Sequence, residues 1–115
     1  MIKLSRLYFA CDLKDHPVLI QQYVNMHAPG KVWPEITKSI RDAGIANMEI
    51  YMTGNRLFMV MDVDENFDPE IKNKMDKENP KVQEWESLMW HFQQSLPWAK
   101  DGAKWIPLKR IFSLD

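Results

Sequence analysis

The chain has 115 residues, a single cysteine and a formal net charge of −1, a length that fits one domain over residues 1–115. Balanced charge excludes the basic footprint that nucleic acid or an anionic membrane selects, and no apolar run approaches the ~18 residues of a membrane span. The lone thiol, Cys11, cannot form an internal disulfide, which fits a reducing compartment and leads us to expect a cytoplasmic protein.

Residues 4–13 alternate, with Leu7, Phe9, Cys11 and Leu13 on one side and Arg6, Tyr8, Ala10 and Asp12 on the other, the period of a strand. Asp15-His16-Pro17 opens a helix that runs to about His27, where Pro29 and Gly30 break it. A shorter helix starts at Trp33-Pro34-Glu35 and stops at Gly44. Residues 46–52 and 56–64 read as a hairpin around Gly54-Asn55, pairing Met52 with Leu57, Ile50 with Met59 and Met48 with Met61. That face is wholly apolar, whereas the opposite face mixes Asn47, Glu49, Tyr51, Phe58, Val60 and Asp62. Residues 66–79 are charged and partly helical. Asn79-Pro80 then opens a helix expected to run to Pro97, with Val82, Trp85, Met89, Phe92 and Leu96 on one stripe. A last strand is expected over residues 105–114.

This order is the split β-α-β pattern of an α+β, ferredoxin-like fold, an antiparallel sheet with helices on its Met-rich face. The mixed face is too apolar to stay in water, so a homodimer packed sheet against sheet, a dimeric α/β-barrel, completes the expectation.

The chain has no glycine-rich phosphate loop, no paired metal-ligand motif and no nucleophile elbow. Its three histidines lie far apart, so neither metal nor cofactor is expected. Four of its five tryptophans fall in the last third, a cluster suited to an interface, to a ring-stacking site, or to ordinary core and surface filling. Tyr23 and His27 stand four residues apart and share a helix face. At the helix C-terminus the dipole favours a histidine cation, and an imidazole titrates near neutrality. A general acid/base beside a phenol is one reading of this pair, and a capping or core histidine is the other.

The run Tyr23-x-x-x-His27 followed by Val32-Trp33-Pro34-Glu35 resembles the signature of the L-rhamnose mutarotase family. The likeness continues through residues 46–51, 56–60, Val82-Gln83-Glu84-Trp85 and Trp105-Ile106-Pro107-Leu108, and so spans nearly the whole chain in order. The resemblance implies cofactor-free interconversion of the α and β anomers of a 6-deoxy-hexose, L-rhamnose by default with L-fucose the alternative. It implies His27 as the catalytic proton donor, with Tyr23 and Trp85 as substrate-binding residues. Two further expected substrate contacts depart from the family: Met48 stands where many relatives have tyrosine, and Glu86 where they have a second tryptophan. The stretch between His27 and Trp33 is longer by Gly30 and Lys31. A second acid/base group is not identifiable from the sequence; Glu86 is a candidate, although the helical wheel puts it at the stripe's edge. Two other classes fit the same scaffold: a cofactor-free oxygenase or haem-degrading enzyme, and a non-catalytic small-ligand-binding module.

Overall fold

The computed structural model describes residues 3–114. Its elements run β1 (Ser5–Leu13), α1 (Pro17–Met26), α2 (Pro34–Asp42), β2 (Ile45–Thr53), β3 (Arg56–Val63), α3 (Pro69–Glu78), α4 (Pro80–Trp90), β4 (Gln93–Gln94) and β5 (Ile106–Pro107). The strands form one antiparallel sheet in the order β2-β3-β1-β4, with β5 also pairing to β1. The architecture is the expected α+β, ferredoxin-like one.

All four helices begin with proline in the first turn, where its missing N–H would have had no partner anyway. Asn79 adds a cap to α4 by accepting from the backbone N–H groups of Lys81 and Val82. The hairpin register is the expected one, with Met52, Ile50 and Met48 opposite Leu57, Met59 and Met61. One irregularity was not legible. Ala46 is an extra residue between the pairs Ile45–Val63 and Asn47–Asp62, a bulge that puts Ile45, Met48 and Ile50 against one hydrophobic cluster.

Two expected elements are shorter than the sequence pattern suggests. Helix α4 stops at Trp90 rather than Pro97. The chain is taken up by the open edge of β1, where Gln93 pairs with Leu13 and Lys14 donates to the Phe92 carbonyl at 2.8 Å. Phe92 and Leu96 are still buried, so the apolar stripe was read correctly and its backbone was not. A sheet edge with unpaired N–H and C=O groups captures any chain that reaches it. The closing strand is the second case. Only Ile106–Pro107 pairs with β1, extended by one bond from Leu108 N–H to the Tyr8 carbonyl. Beyond it Ile111, Phe112 and Leu114 are 91%, 74% and 89% exposed.

The core forms two clusters on the helix-covered face of the sheet. One gathers Leu13, Tyr23, Leu57, Val82, Trp85 and Met89. The other gathers Ile45, Met59, Met61 and Val63, with Phe9, Met48 and Trp105 against it. On the opposite face Asn47, Glu49 and Tyr51 are exposed and Phe58 and Val60 half-buried. Cys11 is fully buried, and burial pushes its thiol up to about 12, so it is an inert core residue.

Candidate active site

Between sheet and helices the packing is incomplete, and a cleft of about 900 Å³ opens there. Its wall is mostly apolar, with a few convergent polar groups, the usual character of a small-molecule site. Tyr23 and His27 reach it from α1, Met48 from β2, and Trp85 and Glu86 from α4. All five residues singled out in the sequence therefore meet at one cavity, although they come from three elements.

The geometry around His27 follows from its place at the end of α1. The ring lies 4.1 Å from the Tyr23 ring and 5.7 Å from that of Trp85, centroid to centroid. Trp85 is backed by Trp33, 5.0 Å away and edge-on, so the tryptophan that opens α2 props the cleft wall. Nδ1 of His27 stands 2.8 Å from the Tyr23 carbonyl oxygen. A carbonyl only accepts, so Nδ1 carries the hydrogen. In the neutral ring the lone pair is then on Nε2, the nitrogen left free.

The expected support of a His27 cation by the helix dipole is outweighed. Such support amounts to about 0.3–1 kcal/mol, whereas burial disfavours the charged ring more strongly. Burial pushes the imidazole below its ordinary value of 6.5, and the bond to the Tyr23 carbonyl opposes this only in part. The residue is thus neutral at physiological pH, with its lone pair at Nε2. Burial likewise holds the Tyr23 phenol well above its ordinary range, with the bond from Gln93 opposing. The phenol stays protonated and acts as a hydrogen-bonding group.

Glu86 is not solitary. Its carboxylate accepts from Lys104 Nζ at 2.6 Å, and the Lys104 side chain is only 11% exposed. The same ammonium lies 4.8 Å from the centre of the Trp90 ring, a cation–π contact. Among the described residues no three histidine, cysteine, aspartate or glutamate side chains converge as metal ligands, and no helix is long and apolar enough to cross a membrane.

Comparison with known proteins gives the family. The L-rhamnose mutarotase family model matches residues 6–114. The chain belongs to the L-rhamnose mutarotase family. Within known relatives it is 45% identical to an L-fucose mutarotase of Xanthomonas campestris pv. campestris, over 98% of this chain and 90% of the relative. It is 34% identical to a protein of Dictyostelium discoideum, over 92% of this chain and 86% of that one. Among solved structures, an L-rhamnose mutarotase of Formosa agariphila superposes with a TM-score of 0.68 at 25% identity, covering 96% of this chain and 99% of the other.

Two cleft residues escaped the sequence reading, Lys104 and Gln93. Lys104 looks like any surface lysine in a polar loop, and only its burial against Glu86 and Trp90 distinguishes it. Gln93 was read as part of a helix that in fact ends before it, at Trp90. Its position opposite Leu13 in β4 turns it inward, and it is 3% exposed.

Proposed function

We propose that this protein interconverts the α and β anomers of a 6-deoxy-L-hexose, with L-fucose ahead of L-rhamnose, and that His27 is its catalytic residue. The observation that carries the reading is the neutral His27 ring, anchored at Nδ1 and free at Nε2, on the wall of an apolar cleft beside Trp85. Nε2 removes the proton of the anomeric hydroxyl. The C1–O1 bond becomes a carbonyl, the C1–ring-oxygen bond breaks, and its electron pair goes to the ring oxygen, which takes a proton. After rotation about the C1–C2 bond the hydroxyl formed from the ring oxygen gives its proton back to the acid that supplied it as that oxygen adds to the other face of the carbonyl, and the imidazolium returns its proton to O1.

Glu86 entered as the candidate second proton-transfer group. Its carboxylate holds the Lys104 side chain at the cleft wall, and in this reading Lys104 is the group that gives a proton to the ring oxygen. Trp85 supplies a flat wall for the apolar face of the sugar, Tyr23 a fixed hydroxyl, and Met48 an apolar neighbour. A C6 methyl group suits this lining, whereas a hydroxymethyl would bury a hydroxyl without a partner, at about 1–3 kcal/mol. L-Fucose moves ahead of L-rhamnose because the 45% identical relative is named for it and because Glu86 replaces the family's second tryptophan with a hydrogen-bonding charge.

Saturation-exchange NMR on the two anomeric protons tests this. Exchange above the spontaneous rate is expected for L-fucose and L-rhamnose and much less for glucose. No enhancement with either 6-deoxy sugar would sink the proposal.

The working unit in this reading is a homodimer. The sheet face with Tyr8 and Tyr51 at 47% and 56% exposure, and the arm carrying Ile111 and Phe112, both suit burial against a second copy. The reduced state that Cys11 needs fits a cytoplasmic location.

A further inference from the structure

The buried end of the cleft holds a mismatch that the proton-transfer groups leave unused. Gln93 lines the cleft and donates from Nε2 to the Tyr23 hydroxyl oxygen at 3.3 Å. Its other amide atom, Oε1, is buried and has no partner among the described residues. The Tyr23 hydroxyl already accepts from Gln93, and its own hydrogen has no acceptor among the described residues. One acceptor and one donor therefore stand side by side without partners, in a region where nearly every buried polar group is satisfied. Turning the amide over does not remove the mismatch. Tyr23 would then donate to Oε1, leaving the amide N–H groups and a phenol lone pair free. In either orientation at least one donor and one acceptor are left unmatched.

A single sugar hydroxyl is the group that satisfies both, since it donates once and accepts as well. We propose that Gln93 is a substrate-positioning residue. Its amide and the Tyr23 hydroxyl together grip one ring hydroxyl of the sugar and so hold the anomeric carbon beside His27, whose ring is in contact with that of Tyr23. The inference rests on the mutarotase reading above and adds to it the residue that fixes the pose. An apolar wall binds a deoxy sugar in many orientations, and a buried amide that must be matched selects among them.

The test compares the parent with Gln93→Leu and Gln93→Met, variants close in volume that remove both amide functions. Exchange rates are measured against concentration of L-fucose and of its monodeoxy derivatives, each lacking one ring hydroxyl. For L-fucose we expect KM to rise about tenfold, the scale of one net hydrogen bond to substrate, with kcat changed far less. One monodeoxy derivative should show the same tenfold penalty in the parent and no further penalty in the variants, because the lost hydroxyl and the lost amide are the same interaction. A purely structural glutamine would not single out one hydroxyl. In the parent itself, adding L-fucose should shift the Gln93 side-chain amide signals in a ¹H–¹⁵N spectrum, a reading independent of how either variant folds. Equal losses for every sugar, unchanged KM, or amide signals that ignore L-fucose overturn this inference while exchange by the parent stands. Absence of exchange by the parent overturns it together with the function proposed above.

Discussion

Replacing His27 with alanine separates chemistry from packing. The imidazole presents the nitrogen lone pair of Nε2 to the cleft, and its loss removes the base for the anomeric hydroxyl. A positioned general base contributes about 10²–10⁴-fold, so the barrier should rise by roughly 3–5 kcal/mol. The structural loss is smaller. The variant forfeits one hydrogen bond to the Tyr23 carbonyl and ring contacts to Tyr23 and Trp85, together about 1–2 kcal/mol. In a domain of this size that lowers Tm by about 4–8 °C. Saturation-exchange NMR, with the spontaneous rate subtracted, and thermal unfolding on the same sample read the two effects apart. The pH profile supplies a further check. Burial lowers the His27 pKa from 6.5, so the active neutral form persists below that pH and the acid limb of kcat/KM must lie there. The same shift has a stability sign. Below about 6.5 the unfolded chain binds a proton that folded His27 refuses, so this contribution to stability is complete above 6.5. It is lost as pH falls through the folded pKa. His27→Ala should remove that dependence. A variant that exchanges anomers as fast as the parent, or an acid limb above 6.5, refutes the assignment of His27 as the base.

Three other outcomes are expected. Lys104→Met should lower kcat by about tenfold or more while leaving Tm within a few degrees, and an unchanged kcat would remove Lys104 from proton transfer. Light scattering should report a dimer at micromolar concentration, and truncation after Pro107 should shift it toward monomer. A full-length monomer would count against the homodimer. Gly44→Ala should cost about 2 kcal/mol, because Gly44 has φ +94° and an added Cβ would lie 2.7 Å from Asp64 Oδ1 and 3.1 Å from the Phe67 nitrogen. An unchanged melting curve would show that the turn after α2 yields more readily than this geometry implies.

What the sequence alone determined is whatever depends on short-range period and stereochemistry. The 2-residue alternation of β1, the Gly54-Asn55 turn with its register, and the proline-opened helices all follow from neighbours along the chain. The pairing of Tyr23 with His27 is of the same kind, since four residues on a helix bring two side chains together whatever the rest of the protein does. Tertiary structure decided the points at which a distant segment competes. Residues 91–96 have no helix breaker, yet the open edge of β1 takes them into β4. Residues 108–114 alternate like a strand, yet pairing with β1 ends at the bond from Leu108 to Tyr8. The state of His27 was decided in the same way. Its sequence position favours a cation through the helix terminus, but burial from Trp85 and its neighbours outweighs that local term and leaves the ring neutral. Gln93 shows the limit most clearly. Its identity is unremarkable in sequence, and its function depends on an unmatched oxygen that exists only because β1, α1 and the end of α4 converge on it.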